Sequence, residues 1–334
     1  MSARVCACLV LTVVVGCSSA PGAPNGNNGG TGGNGSPSPG SAADFAVVAA
    51  SDLGVTADDG GTIPSGDGGV PTTSRCGAPL DATPPTAASI GSDGPHAVTS
   101  YTQGLPSSTA YKSLTVFYPT NASGPFVVVM ISPGLTEVLQ YLQPWAQRFA
   151  SWGYVAVFVE ANDTNNDSEA TRADGMWAAI AAIKGENTRS GSPLAGKLSS
   201  CIVTSGHSLG GGASISIANA HPTDVTAALA FNPYDPTTSF SAIVAPTLIL
   251  TGQSDTTAPP AQHGRRQYDS MSSTILKQYV EIANGPHTSA ITPATIPGPY
   301  AVSWLKVTVD GDARFRPFLA KSASGLSDFA TTLP

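Results

Sequence analysis

A serine flanked by glycines stands in the second half of the chain, in a Gly-His-Ser-Leu-Gly motif at 206–210. An apolar segment at 201–204 precedes the motif, and a segment of small residues at 209–220 follows it. Between a strand and a helix, such a motif forms a strained turn that lifts the serine hydroxyl above the sheet. Glycines flank the serine because side chains there would strike the neighbouring strand or helix. We therefore predict that Ser208 is a nucleophile.

A serine hydroxyl needs a base, and the base needs a carboxylate to orient it, in the chain order serine, acid, histidine for this kind of turn. Asp255 follows an apolar segment at 247–251, so it should lie just beyond the carboxyl end of a strand. Asp235 also follows a strand, but one strand earlier and closer to the motif. We predict Asp255 as the acid and keep Asp235 as the weaker alternative.

His287 is the histidine best placed to act as the base, because it follows the segment at 277–282 through a short loop. The other four histidines precede the serine, lie inside its motif or occupy helices leading away from it: His96, His207, His221 and His263. Among these, we expect His207 to line the substrate cleft and His263 to lie on the surface.

The negatively charged oxygen of a tetrahedral intermediate needs two backbone N–H donors. Leu209 is expected to supply one, because the first amides of a helix have no partner within it. The loop at 132–136 should supply the other, with Gly134 permitting a turn that directs the Leu135 amide into the cleft. These steps use neither a metal ion nor another cofactor, and we predict neither.

Short β-rich segments alternate with helical ones along the second two thirds of the chain. Strands are predicted at 114–118, 126–131, 154–159, 201–204, 227–231, 247–251 and 277–282, and helices at 138–152, 170–183, 209–220 and 300–309. This alternation predicts an α/β fold with a mostly parallel central sheet and helices on both faces. Only about 15 residues, 232–246, separate two of the strands, too few for an inserted cap domain. We therefore expect an open cleft.

Composition narrows the class of protein. The chain has 334 residues, of which 41% are hydrophobic and 11% charged, and its net charge is −7. The apolar content suffices for a packed core, while the acidic excess argues against nucleic-acid binding, which needs a basic face. Low charge together with 36 glycines and 28 prolines indicates an exported protein with an uncharged polar segment.

Residues 1–17 resemble a signal peptide of the bacterial lipoprotein type. Arg4 precedes an apolar run at 5–15, which is shorter than the ~20 residues of a membrane-spanning helix. The run stops beside Cys17, which we expect to become the lipidated first residue after cleavage. The alternative is an ordinary signal peptide cleaved after a small residue such as Ala20. Membrane contact is expected only through this lipid, on the outer membrane or cell surface.

Residues 18–75 are rich in glycine, serine, asparagine and proline. Such a segment buries too little apolar surface to offset the entropy of ordering it, so we predict a disordered linker. The catalytic domain then spans 76–334. Within it, Cys76 and Cys201 can form a disulfide in an oxidising compartment, but two unpaired thiols are equally compatible with the sequence.

Taken together, the motifs resemble those of the bacterial cutinase and polyester (PET) hydrolase family. The resemblance is carried by Pro-Thr-Ala-Ala-Ser-Ile at 85–90, Gly-Pro at 94–95, Val-Phe-Tyr-Pro-Thr-Asn-Ala at 116–122, Ser-Pro-Gly at 132–134, Gly-His-Ser-Leu-Gly-Gly-Gly at 206–212, Ala-Pro-Thr-Leu-Ile at 245–249, Asp-Thr-Thr-Ala-Pro at 255–259 and Tyr-Ala-Val-Ser-Trp-Leu at 300–305. It implies an α/β-hydrolase fold with the catalytic and oxyanion residues named above. It also places Tyr234 where the family carries an aromatic residue beside the scissile ester.

Two positions depart from this family pattern. The family usually has an aromatic residue at the first oxyanion position and methionine after the nucleophile, whereas this chain has Leu135 and Leu209. A weaker aromatic clamp favours aliphatic esters over terephthalate. The family's C-terminal disulfide is also missing, since no cysteine follows Cys201.

The sequence thus predicts an exported, monomeric serine hydrolase that cleaves polyesters and acyl esters through an acyl-enzyme. Its expected substrate contacts are Leu135, His207 and Tyr234. A narrower alternative is a general carboxylesterase for short or medium acyl chains. An alternative of another class is a non-catalytic lipoprotein that uses a hydrolase fold to bind a ligand.

Overall fold

A nine-stranded sheet forms the centre of the computed structural model, which describes residues 75–237 and 239–334. The strands are β1 Val98–Tyr101, β2 Ser113–Pro119, β3 Phe126–Ser132, β4 Val155–Glu160, β5 Leu198–His207, β6 Ala227–Phe231, β7 Thr247–Gly252, β8 Lys277–Ile282 and β9 Leu326–Thr331. Their order across the sheet is β1-β2-β4-β3-β5-β6-β7-β8-β9. Pairing is parallel from β4 to β8 and antiparallel at the two margins. The predicted α/β fold is confirmed.

Helices cover both faces of the sheet. They are α1 Ala87–Ile90, α2 Leu139–Ser151, α3 Glu169–Glu186, α4 Leu209–Ala220, α5 Gly264–Ser270 and α6 Pro297–Leu305. One apolar cluster contains Trp145 of α2 and Trp304 of α6, and the other contains Ile180 of α3 and Ile215 of α4. The core therefore consists of two layers separated by the sheet.

Strand β3 shows why the central segments are continuously apolar. Val129 and Ile131 enter one apolar cluster, whereas Val128 and Met130 enter the other. Consecutive side chains of a strand point to opposite faces, so a strand covered on both faces needs apolar residues at every position. Every residue of β3 is accordingly buried.

The margins of the sheet differ from the prediction. The edge strands β1 and β9 were not predicted, because their short sequences mix polar and apolar residues and stay partly exposed. The last predicted helix is α-helical only to Leu305 and continues as a π-helical turn at Lys306–Asp310. A 3-10 helix follows at Ala313–Leu319.

A disulfide joins Cys76 to Cys201, with the two Cα atoms 6.1 Å apart. It links the start of the described chain to β5. The predicted signal segment at 1–17 with Cys17, and the predicted linker up to residue 74, lie outside the described residues. Within the described ranges, none of the helices has the length and apolar character needed to span a membrane.

The carboxyl ends of β3, β5, β6, β7 and β8 lie at one edge of the sheet, because these strands are parallel. In the described parts of the connection from β6 to β7, residues 232–237 and 239–246, there is no helix or strand. This edge therefore carries the loops in which the sequence places its chemistry, without an inserted cap domain above them.

Candidate active site

Ser208 occupies the turn between β5 and α4 in a left-handed backbone conformation, with φ +55° and ψ −120°. This conformation is strained for a residue with a side chain and persists only when its surroundings hold it. The Ser208 N–H donates to the Phe231 carbonyl over 2.9 Å, and the Ser208 carbonyl accepts from the Tyr234 N–H over 2.9 Å. Both bonds join the turn to the end of β6.

The flanking glycines are required by space. A Cβ on Gly206 would lie 2.5 Å from the backbone of Gly210, and one on Gly210 would lie 2.0 Å from the Ser132 carbonyl oxygen. The start of α4 thus rests directly on the ends of β5 and β3. This close packing raises the serine hydroxyl to the edge of the sheet.

Ser208, His287 and Asp255 are brought together at this edge. The Ser208 Oγ lies 2.9 Å from His287 Nε2, and His287 Nδ1 lies 2.8 Å from Asp255 Oδ2. When Nδ1 carries a hydrogen donated to the carboxylate, Nε2 is free to accept the serine proton. The arrangement is that of a nucleophile, its base and the group that orients the base.

The Asp255 carboxylate is held by several donors. Its Oδ1 accepts from the backbone N–H groups of Thr257 and Ala258 over 2.9 and 2.8 Å. Burial opposes ionisation, but the hydrogen bonds from His287 and Ala258 outweigh it, so the pKa of Asp255 lies below its usual value. The carboxylate therefore stays charged beside the imidazole.

The weaker candidate acid, Asp235, has other partners. It accepts from the Ser216 hydroxyl over 2.8 Å and from the Thr237 N–H over 2.6 Å. Its carbonyl oxygen lies 3.0 Å from Nδ1 of His263. These contacts join it to α4 and to His263, and among the described residues it has no hydrogen bond to His287.

Asn232 was missed by the sequence reasoning. It follows β6 with φ +43°, and its Nδ2 donates to Asp255 Oδ2 over 3.1 Å. Its Oδ1 accepts from the Ala290 N–H over 3.1 Å. One side chain thus joins the acid loop to the loop after His287. The sequence feature that could have identified Asn232 is a polar residue directly after a buried strand, at the sheet edge that carries the other site residues.

The acid and base loops also touch through their backbones. A Cβ on Gly252 would lie 2.3 Å from the Gly285 carbonyl oxygen, and the Ser254 N–H donates to that same oxygen over 2.8 Å. Glycine at position 252 is needed for this approach, which sets the spacing between Asp255 and His287.

Two free backbone amides flank the serine. Across the described residues, the N–H groups of Leu135 and Leu209 donate no hydrogen bond to the protein. The loop carrying Leu135 lies against the serine, since a Cβ on Gly134 would be 2.8 Å from the Ser208 Cβ. These amides are placed to receive a developing oxyanion.

The role expected for Gly134 needs correction. The left-handed residue of the oxyanion loop is Thr136, with φ +62°, and Gly134 does not have a positive φ. Glycine is required at 134 for space instead, because any side chain there would strike Ser208 or Glu137. Thr136 thus has the left-handed backbone of the turn, and Gly134 allows the loop to lie close to Ser208.

The prediction that His207 contacts substrate is wrong. Its side chain is fully buried, with Nδ1 2.5 Å from Glu137 Oε1 and Nε2 2.8 Å from the His287 carbonyl oxygen. The sharp turn sends the side chains of His207 and Ser208 in different directions. His207 therefore lies beneath the site, and its partner Glu137 was not anticipated.

Leu135 and Tyr234 are the two predicted substrate contacts that remain exposed, with exposed fractions of 51% and 36%. The Tyr234 ring stacks on His263, with ring centroids 4.5 Å apart. The expectation of a surface position for His263 is wrong, since it is buried under this ring.

Among the residues described, no cluster of three or more histidine, cysteine or acidic side chains could hold a metal ion.

Comparison with known proteins agrees with this geometry. A family model described as PET hydrolase-like matches residues 77–332. Cutinase 1 of Thermobifida cellulosilytica is 32% identical over 229 residues, which cover 68% of this chain and 85% of the relative. The bis(hydroxyethyl) terephthalate hydrolase of Streptomyces coelicolor is 31% identical over 227 residues, 68% of this chain and 71% of the relative. Cutinase 2 of T. cellulosilytica is 34% identical over 205 residues, 61% and 76% of the two chains.

Proposed function

Because this chain belongs to the PET hydrolase-like family and is a carboxylic ester hydrolase, we propose that it cleaves polyesters and acyl esters through an acyl-enzyme on Ser208. The observation that carries the proposal is the chain of hydrogen bonds from Ser208 through His287 to Asp255. The similar relatives are named cutinases and a bis(hydroxyethyl) terephthalate hydrolase, which supports ester substrates.

The first half-reaction uses the free hydroxyl. Ser208 Oγ attacks the ester carbonyl carbon while His287 Nε2 takes its proton, and the carbonyl oxygen becomes an oxyanion facing the Leu135 and Leu209 amides. The intermediate collapses as the carbon–oxygen bond to the alcohol breaks. His287 gives its proton to the leaving alkoxide, and Ser208 is left esterified. Asp255 remains ionised throughout and stabilises the imidazolium.

The second half-reaction regenerates the hydroxyl. A water molecule attacks the acyl carbon, and His287 takes a proton from it. A second oxyanion forms at the same two amides and collapses, returning the proton to Ser208 Oγ and releasing the carboxylic acid. The same base serves both halves because His287 Nε2 lies beside Ser208 Oγ, where the alcohol leaves and the water then attacks.

The shape of the site supports a long or bulky ester. The connection at 232–246 is too short to hold a cap domain, and large apolar side chains, Leu135 and Tyr234, stand exposed beside Ser208. A chain segment longer than its scissile ester can therefore rest across the site. Leucine at 135 and 209 in place of aromatic and methionine side chains favours aliphatic diacid units over aromatic ones.

Export and attachment form part of the proposal. The protein is delivered by the signal at 1–17 and held to the outer membrane or cell surface by lipid on Cys17, with 18–75 as a tether to a monomeric catalytic domain at 76–334. The pattern beside Cys17 supports it. Cys17→Ser should abolish incorporation of labelled fatty acid and shift the enzyme from the membrane fraction to the medium. Unchanged labelling would contradict the lipid anchor.

A chain-length series tests the ester hydrolase. The control is Ser200→Ala, at an exposed serine of β5, the strand that precedes Ser208. Wild type, Ser208→Ala and this control are assayed on p-nitrophenyl esters and by mass loss of aliphatic polyester film. We expect Ser208→Ala to lose at least ~10³-fold in kcat and all film erosion, while Ser200→Ala matches wild type. Undiminished turnover by Ser208→Ala would refute the mechanism. Activity confined to short esters, with no film erosion, would restrict the substrate to small acyl esters.

A further inference from the structure

A buried chain of polar contacts runs beneath the candidate site. Glu137, which closes the oxyanion loop, is 8% exposed, and its Oε2 accepts the Gly134 N–H over 2.6 Å. Its Oε1 lies 2.5 Å from His207 Nδ1. His207 Nε2 lies 2.8 Å from the His287 carbonyl oxygen. Two side chains thereby connect the oxyanion loop to the loop of His287, which is distant from it in sequence.

The chemistry of these contacts fixes the direction of the last one. A carbonyl oxygen can only accept, so His207 Nε2 carries a hydrogen and donates it to the backbone of His287. A single proton lies between His207 Nδ1 and Glu137 Oε1. Both side chains are shielded from water, so removal of either would leave a buried polar partner unsatisfied.

The oxyanion loop is held on its other side as well. The Thr136 N–H donates to the Thr164 carbonyl over 2.7 Å, and the buried Arg172 donates to that same oxygen over 3.1 Å. Thr136 is also the left-handed residue of the loop. This strained conformation persists only where neighbouring groups hold it, and Glu137 holds the loop from its buried side.

We propose that Glu137 and His207 are positioning residues for ester hydrolysis. They hold the loop carrying the Leu135 amide at a fixed distance from the backbone of the base His287. The inference rests on the proposed function, since it assigns these contacts to that reaction. Neither side chain touches substrate, because both lie beneath the site. Glu137 is hydrogen-bonded to the residue before Leu135, and His207 is hydrogen-bonded to the backbone of His287.

This placement predicts an effect on turnover rather than on binding. The distance between the oxyanion donor and the base matters most when the tetrahedral oxygen forms, while the ground-state ester rests mainly on exposed apolar groups. A misplacement of about 1 Å in such groups can cost about 10²-fold in rate. Loss of the bridge should therefore lower kcat and leave KM nearly unchanged.

The test compares Glu137→Ala, Glu137→Gln, His207→Phe and the double variant Glu137→Ala/His207→Phe. Turnover of a soluble p-nitrophenyl ester is normalised to active sites titrated with a p-nitrophenyl phosphonate. We expect Glu137→Ala and His207→Phe each to lose about 10- to 100-fold in kcat. Because the two residues act as one unit, the double variant should fall no more than about threefold below the lower single variant. Glu137→Gln should keep kcat within about threefold, since its amide can accept from Gly134 and donate to a neutral His207.

The matched control is Glu186→Ala. Glu186 is also buried and is bonded to Arg189, Ser192 and Tyr101, but it ends α3 at the opposite edge of the sheet. It should lower Tm while leaving kcat per active site at the wild-type value. An effect of Glu137→Ala on Tm alone, with kcat unchanged, would reduce the bridge to a structural role and overturn the proposal.

Two further arms keep the outcome decisive. If Glu137→Ala does not fold, Glu137→Asp replaces it. The aspartate side chain is one methylene shorter, so its carboxylate cannot reach both partners. A wild-type kcat in Glu137→Asp would overturn the proposal. A rise in KM with unchanged kcat would do the same. Ser208→Ala is assayed in parallel, so loss of the proposed function itself is recognised separately as turnover that survives without the serine.

Discussion

Asn232 Nδ2 lies 3.1 Å from Asp255 Oδ2, and the residue that carries it has a backbone φ of +43°. The Oδ1 of the same side chain accepts from the Ala290 N–H, three residues beyond His287. A strained residue outside the proposed triad therefore connects the loops of the proposed acid, Asp255, and the proposed base, His287.

Replacing Asn232 with glycine tests this connection. Glycine adopts a positive φ freely, so Asn232→Gly removes the side-chain bonds without adding backbone strain. We expect kcat to fall about tenfold because the carboxylate loses a charge-assisted partner, with KM little affected. Steady-state kinetics measure both, and Asn232→Ala shows any added cost of strain in the unfolding free energy. A wild-type kcat in Asn232→Gly would exclude a role in catalysis.

Leu135 is expected to set the preference between aliphatic and aromatic acids. It is half exposed beside Ser208, and its contribution to the oxyanion comes from the backbone, which a substitution leaves in place. Leu135→Tyr should raise the ratio of kcat/KM for a terephthalate ester over an aliphatic diester by about 5-fold, since an offset aromatic pair contributes ~1 kcal/mol.

The control for that change is Val244→Tyr. Val244 is also exposed, but it precedes β7 at the other edge of the sheet, so the added ring should leave the ratio unchanged. An equal rise in both variants would attribute the gain to general adsorption on an apolar surface.

The Cys76–Cys201 disulfide should stabilise the domain without affecting chemistry. It closes a loop with a sequence separation of 125, and cross-links of that span restrict the unfolded chain strongly. Cys76→Ser/Cys201→Ser is expected to lose about 3–5 kcal/mol of unfolding free energy. Urea titration measures the loss, and dithiothreitol should destabilise wild type but not the variant. Equal stability of the two proteins would contradict this contribution.

Glu169 should make stability depend on pH. Burial, reinforced by the charge of Asp235, raises the pKa of Glu169 to about 7, from an ordinary value of 4.5. The folded state therefore keeps a proton that the unfolded state has lost between these values, so stability falls as pH rises from 4.5 to about 7. Glu169→Gln should gain ~1 kcal/mol at pH 8, after solvent screening is allowed for, and almost nothing at pH 4.

Thermal unfolding of wild type and Glu169→Gln across that pH range checks the effect. The exposed Asp224→Asn removes one carboxylate without relieving a buried one, so its stability relative to wild type should not change with pH in the same way. A gain in Glu169→Gln that is independent of pH would point to packing instead of charge.

That Ser208, Asp255 and His287 meet at one sheet edge could be predicted from sequence because each follows a strand there. Ser208 has a motif, and Asp255 and His287 come after continuous apolar segments in the required order. Local pattern also located β2, and it located β3 through β8 because strands buried on both faces are largely apolar.

Contacts between distant loops could not be predicted in the same way. Glu137 and His207 are 70 residues apart, and nothing in the local sequence of either indicates the other. The direction of the His207 side chain depends on the turn angle at Ser208, which the motif implies only for the serine. The edge strand β9 was not predicted because its half-exposed positions do not form a regular apolar pattern.

The covalent link between Cys76 and Cys201 also sets the route of mechanical load through the domain. Tension applied to the chain before residue 76 passes across the sulfur–sulfur bond straight into the central strand β5. Residues 77–200, with the first four strands and three helices, form a covalently closed loop that cannot be drawn out past Cys201 while the bond is intact. Pulling from that side therefore cannot extend the first four strands one after another unless the disulfide is first reduced.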